Sequence, residues 1–256
     1  MQAEWRIDSA SLSKWKKLVA ENREKPIVKK RRRLNVHRID IRLDKQEIWR
    51  ILMGCQVTTQ QPSGQGSAVA KFLAGKSPAV RLNECRKARS VAALVSSECS
   101  AAGLRFGPKT GSNMQRIFDS LENGGWSALM EQLRSIHSHT TANKERAVIR
   151  YLRETQHAGK HAFPGLGPKQ ARNFIQWLGL SRYEIPIDSR SLRKMRELGS
   201  TFNPGGSALS DEKVYGFVQD ALQQVARKLD IYPCELDATI FASFEVNSDE
   251  EAAIEN

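Results

Sequence analysis

The sequence predicts an all-α protein. Apolar residues recur at i, i+3, i+4 and i+7 in successive windows, no strand-like alternation of any length interrupts them, and capping residues, glycines and prolines punctuate the windows.

The first helix is expected over Ala10 to Glu21, with Leu12, Trp15, Leu18 and Val19 on one face. Lys29 to Arg33, five consecutive bases after Pro26, reads as a solvated or mobile segment, a phosphate-contacting arm or a nuclear address. Asp44 is the N-cap of the next helix, with Glu47 completing a weak capping box, and Ile48, Trp49, Ile51 and Leu52 give that helix its apolar surface. A polar, amide-rich and glycine-rich loop runs from Gly54 to Gly66. Helices follow over Ser67 to Leu73, Glu84 to Ala102, Ser112 to Glu122 and Ser127 to Ile136, with Gly103 to Thr110 and Gly124-Gly125 as breaks. Beyond them come Lys144 to His157, Ser191 to Leu198, a helix capped by Ser210-Asp211-Glu212 that runs to about Asp230, and a last element from Glu235.

The most informative stretch is Phe163-Pro164-Gly165-Leu166-Gly167-Pro168-Lys169. Two glycines and two prolines cannot continue a helix, yet amphipathic helices flank them, so this is a tight hairpin between helices. Pro168 suits a first helical position, which has no intrahelical use for an N–H. The free amides there, with those of Gly165 and Gly167, form an anion site sized for a nucleic-acid phosphate. Nineteen residues after Lys169, an extended Ile185-Pro186-Ile187 leads to Asp188. A lysine amine attacks an electrophilic carbon, and a carboxylate stabilises a developing positive charge. Taken singly, Lys169 also reads as a solvated first-turn lysine and Asp188 as a helix N-cap.

The 256 residues carry 40 lysines and arginines against 28 acids, a formal +12, which fits a polyanionic partner. No run approaches the roughly eighteen apolar residues of a membrane helix, and Met1 to Arg6 has no signal-peptide core; a cytoplasmic location is expected, or nuclear in a eukaryote. Cys55, Cys85, Cys99 and Cys234 lack paired ligand spacing and are expected as reduced, buried thiols. His137 and His139, two apart in a polar turn, are loop residues rather than metal ligands.

These motifs resemble the helix-hairpin-helix DNA glycosylases, whose hairpin reads Leu-Pro-Gly-Val-Gly-x-Lys and whose catalytic aspartate follows a Val-Pro-Val-like segment. Phe163 to Lys169 and Ile185 to Asp188 carry both halves, and the resemblance covers roughly Asp44 to Phe241. It implies a two-lobed fold with a cleft. One lobe joins 1–62 to 165–246, the other is 63–164, the hairpin helices of 144–178 lie at the interface, and 247–256 is a disordered acidic tail. Lys169 then takes the position of the nucleophile of bifunctional glycosylase/AP lyases, with Arg172 or Arg190 nearby to lower its pKa, and Asp188 that of the catalytic aspartate. Gly165, Gly167, Lys109, Arg172 and Arg190 are expected on the DNA backbone, with Arg116 as a further candidate. Gln56 matches the position of a side chain that fills the space left by an extruded nucleotide, and Gln60 and Gln61 are alternatives in what looks like an insertion.

Asp237 and Phe241 resemble the base pocket of the 8-oxoguanine branch. A carboxylate there accepts from guanine N1–H and its amino group at once; local hydrogen bonds for Asp237 and a core position for Phe241 are the other reading. Many relatives hold a C-terminal iron–sulfur cluster, but only Cys234 follows the hairpin, so no cluster, metal or organic cofactor is expected. The expected function is excision of a damaged, guanine-type base from double-stranded DNA by a monomeric bifunctional DNA glycosylase/AP lyase. A modified pyrimidine as substrate remains open, as does a non-catalytic DNA-binding accessory protein, for example in a bacterial antiviral operon.

Overall fold

The computed structural model describes residues 7–62, 64, 66–75, 77–202 and 204–244; the acidic tail expected over 247–256 lies outside them. Among the described residues the chain is all-α apart from one short antiparallel ladder. In chain order the helices are α1 Ser9–Asn22, α2 Pro26–Arg31, α3 Lys45–Val57, α4 Ala68–Ala74, α5 Leu82–Lys87, α6 Val91–Ala101 and α7 Gly107–Ser120. They continue with α8 Trp126–Ser135, α9 Ala142–Glu154, α10 Pro168–Trp177, α11 Ser189–Glu197, α12 Glu212–Lys228 and α13 Pro233–Ala242. Among the described residues no helix is long and apolar enough to cross a membrane.

The chain divides into two compact units, Ile41–Leu180 and the discontinuous Met1–Asp40 with Ser181–Asn256. The boundaries therefore fall before α3 and after α10, not at 62/63 and 164/165, and the whole hairpin lies in the contiguous unit. The cause is packing: Ile48, Trp49 and Leu52 of α3 share one apolar core with Val95 of α6, Met114 of α7 and Phe174 and Ile175 of α10.

Within that unit the expected helix over Glu84 to Ala102 is broken. Ala88 is extended and the Ser90 hydroxyl accepts the Ala93 N–H at 3.1 Å, which starts α6 afresh. α7 begins at Gly107 rather than Ser112, with Pro108 in its first turn. A Cβ on Gly111 would lie 2.4 Å from the Ala92 carbonyl oxygen, so glycine there lets the backbones of α6 and α7 touch. α9 stops at Glu154, short of the expected His157, because Thr155 turns extended and the chain forms β1 Gln156–His157 against β2 Lys160–His161.

The discontinuous unit has its own core of Trp15, Leu18, Leu192, Met195, Tyr215, Val218, Leu222, Leu236 and Ile240. The basic run is not a mobile arm. Lys29 to Arg31 are the end of α2, whose Val28 packs on Ala238 and Ala242 of α13. Arg32 and Arg33 open a π-helical turn, Arg32–Val36, and the Arg32 Nε donates to Glu235 Oε1 at 2.8 Å. Arg182 donates to the Asn35 and Val36 carbonyls, and the buried Asn35 amide donates to the Ser181 carbonyl at 2.8 Å, joining the two chain segments of the unit.

Candidate active site and nucleic-acid interface

In the contiguous unit, the hairpin is anchored by its apolar residues. Phe163 and Leu166 are buried, Phe163 against Tyr151, and the Leu166 N–H donates to the Phe163 carbonyl at 3.2 Å to close the turn. Gly165 has φ +84°, a left-handed conformation that glycine adopts without cost, and both hairpin glycines are exposed. Gly167 caps α10 and Pro168 is its first residue, as the sequence predicts. The Gly165 and Gly167 N–H groups have no partner among the described residues. They form the start of an anion site at a helix N-terminus.

Gln56, expected to enter a duplex, is instead committed to this hairpin. Only 7% exposed, it donates from Nε2 to the Pro164 carbonyl at 2.8 Å and accepts at Oε1 from Asn113 Nδ2 of α7 at 3.0 Å. The last turn of α3 lies directly under the hairpin, so the side chain meets an unpaired carbonyl before it can reach solvent.

Lys169 sits half-buried in the first turn of α10. The next residue, Gln170, donates to the hydroxyls of Thr58 and Thr59 at 3.4 and 3.3 Å and accepts from Asn173, while the Cys55 thiol donates to its carbonyl at 3.6 Å. The lysine's helix is thereby tied to the end of α3. Burial pushes the Cys55 thiol far up, opposed by the positive charge of Lys169, so the group beneath the lysine is a neutral thiol. Arg172, expected on the DNA backbone, is buried instead. Its side chain is 2% exposed and folds back one turn to donate from Nη1 to the Pro168 carbonyl at 3.0 Å.

A second cluster lies on the loops after α3 and before α7. Gln60 is exposed with φ +53°, and its carbonyl accepts from Arg105 Nη1 at 3.2 Å. Gln61 Oε1 accepts the Arg105 N–H at 3.0 Å, and its Nε2 donates back to the Val57 carbonyl. These bonds fix the two loops together. Next to Arg105 stands Phe106, which the sequence reading passed over: it is 46% exposed with φ +61°. A bulky residue in that conformation is a true outlier, and here the ring faces solvent instead of a core. An aromatic between Gly-Leu-Arg and Gly-Pro, in a loop with no apolar periodicity, was the signal available. Lys109 is exposed in the first turn of α7, where its charge adds to the positive helix end. Arg116 donates to the His161 carbonyl at 3.2 Å.

In the discontinuous unit, the extended segment before Asp188 is held by α12. Tyr215, fully buried, donates its hydroxyl to the Ile185 carbonyl at 2.8 Å and accepts the Ile187 N–H at 2.5 Å, and Gln219 Oε1 accepts the Ile185 N–H at 3.2 Å. Asp188 then caps α11, its Oδ1 accepting from the backbone of Arg190 and Ser191 at 2.9 and 3.2 Å. Its Oδ2 takes the Arg190 guanidinium at 3.4 and 3.3 Å. The same guanidinium lies 4.2 Å above the ring of Phe241. Arg190 is thus turned onto the carboxylate and the aromatic ring, not outward as a backbone clamp. Asp237 is half-buried one turn before Phe241 and faces Arg31, whose pKa burial lowers and Asp237 holds up.

A scan of protein-family models finds none that matches the chain, and no curated protein matches its sequence. Solved structures do match. One is Tm1821, the 8-oxoguanine DNA glycosylase of Thermotoga maritima, at 18% identity and TM-score 0.60 over 91% of this chain and 95% of that one. Another is the 8-oxoguanine DNA glycosylase of Methanocaldococcus jannaschii, MjOgg, at 15% identity and TM-score 0.62 over 90% and 91%. The chain has the fold of these 8-oxoguanine DNA glycosylases.

Proposed function

We propose that the chain is a bifunctional DNA glycosylase/AP lyase acting on double-stranded DNA that contains a damaged or modified base, of guanine type. What carries it is two features, each built within its own unit: a glycine hairpin whose Gly165 and Gly167 amides have no partner among the described residues, opening a helix at Lys169, and a carboxylate, Asp188, at the end of a segment held by a buried tyrosine. The solved glycosylases of the same fold support it.

In this reading the hairpin amides hold one phosphate, and the target nucleotide is extruded at a cost of a few kcal/mol. Exposed Gln60 and Phe106 enter the duplex and recover part of that cost, the ring by stacking and the amide by pairing with the bases left behind. This gives the insertion role to Gln60, with Gln56 beneath it as the hairpin's support. The Lys169 amine attacks C1′, the C1′–N bond to the base breaks, and the base leaves with its electron pair and takes up a proton. Asp188 stabilises the positive charge on the sugar. The sugar ring then opens at C1′–O4′, O4′ taking up a proton given by the amine, and leaves a Schiff base that acidifies C2′–H; loss of that proton expels the 3′ phosphate, and water then releases the lysine.

Asp237 accepts from the N1–H and amino group of a guanine-type base. A modified pyrimidine is the second reading, favoured by one observation: Arg31 already balances the charge of Asp237. Excision from duplexes carrying 8-oxoguanine, an oxidised pyrimidine or no lesion decides between them. Release of the purine alone supports the first reading, and release of neither base contradicts both.

A further inference from the structure

The ladder Gln156–His161 has no part in that chemistry, and a plain link from α9 to the hairpin would not need it. It is nevertheless built firmly. Gln156 pairs with His161 and His157 with Lys160, and Ala158 and Gly159 between them both have positive φ, 49° and 70°, as a type I′ turn demands. The Ala162 N–H donates to the Thr155 carbonyl at 2.8 Å below the ladder, and Arg116 of α7 donates to the His161 carbonyl at its side. Cross-strand partners share a face, so His157 and Lys160 stand together on one side and Gln156 and His161 on the other. Lys160 is exposed, while the Nε2 of His161 is shut off from solvent.

We propose that this β-hairpin is a second DNA-backbone contact, with Lys160 placed on a phosphate of the duplex that the glycine hairpin holds. The inference rests on the function proposed above and extends its DNA footprint. Five residue steps join Lys160 to Gly165, at most about 18 Å of chain. With a rise of about 3.4 Å per nucleotide, Lys160 therefore lies no farther from the glycine hairpin than the length of about five base pairs. The flanking charges favour a polyanion: Arg150, Arg153, Lys160 and Lys169 against the single acid Glu154 between positions 150 and 169. The type I′ turn holds the lysine in place before DNA arrives, which lowers the ordering cost of the contact.

The test is the salt dependence of binding to a duplex with a stable abasic-site analogue, measured by fluorescence anisotropy for the native chain, Lys160→Gln and Lys160→Glu. One lost phosphate contact lowers the slope of log Kd against log salt by about 0.9. A rise from about 50 to about 200 mM salt then costs Lys160→Gln about threefold less affinity than it costs the native chain. Lys160→Glu is expected to bind more weakly still. Native slope and affinity in both variants overturn the inference and leave the ladder as a connector. A native chain that shows no salt-dependent duplex binding overturns the function reading itself.

Discussion

The carboxamide of Gln56 and the carbonyl of Pro164 are joined at 2.8 Å, and the same carboxamide fills the space beside Gly165. A Cβ on Gly165 would lie 2.3 Å from Gln56 Oε1 and 2.7 Å from Nε2. The turn is thus shaped from below by a side chain on another helix, and the two positions are coupled.

Gly165→Ala is expected to destabilise the chain by about 1 to 3 kcal/mol, from backbone strain at φ +84° and from displacing the carboxamide. In a Gln56→Ala background the clash with the carboxamide disappears, leaving the backbone strain and the 2.9 Å approach to Asn113 Nδ2, so the double variant costs less than the sum of the two single ones. Denaturant unfolding of both single variants and the double variant checks this. Strict additivity contradicts the coupling.

Asp188→Asn separates the two roles of that residue. Asparagine is as good an N-cap as aspartate, so stability changes by only a few tenths of a kcal/mol. Loss of the charge is expected to slow base excision by about 10²- to 10³-fold in single-turnover assays. Arg190→Ala, which removes the guanidinium from Oδ2 while leaving the cap bonds to Oδ1, is expected to slow excision about tenfold.

Phe106→Gly is expected to stabilise the fold by up to about 1 kcal/mol, since glycine removes the left-handed strain and the 46%-exposed ring is not part of the core. The same change is expected to weaken extrusion of the target nucleotide, read from a fluorescent base analogue beside the lesion. A gain in stability with a loss of extrusion is the signature of strain kept for function. A variant that loses stability contradicts it.

Buried thiols set an alkaline limit. Burial raises Cys85 and Cys99 from 9.0 to about 11. Between those values the unfolded chain has lost protons that the folded chain retains, so stability falls as pH rises through this window. Each thiol contributes up to about 1.4 kcal/mol per pH unit there. Stability measured from pH 8 to 11 is expected to decline less steeply in Cys85→Ala and Cys99→Ala variants than in the native chain, and thiol reagents are expected to spare all four buried cysteines until unfolding.

What could be read from the sequence was local. The hairpin, Pro168 at the start of α10, the Asp44 cap and the extended approach to Asp188 depend on backbone rules that act over a few residues. The helical class followed from periodicity. Side-chain direction did not: Gln56, Arg172 and Arg190 were expected to face DNA, and each found a carbonyl, a carboxylate or a ring supplied by distant or folded-back chain. Phe106 was given no role because its aromatic character in an aperiodic loop was the one sequence signal, and its left-handed backbone and exposure are properties of the fold. The run Lys29 to Arg33 looked mobile because its counter-charge, Glu235, and its packing partners, Ala238 and Ala242, lie some two hundred residues away.

Reduction with borohydride during incubation with an abasic-site duplex tests the central claim most directly, because it converts the Schiff base of Lys169 into a permanent bond. The native chain is expected to give one covalent protein–DNA adduct, and Lys169→Ala, which keeps the hairpin and its amides, none. Folded native protein that binds the duplex yet yields no adduct, or an adduct that persists in Lys169→Ala, would contradict the assignment of Lys169 as the nucleophile.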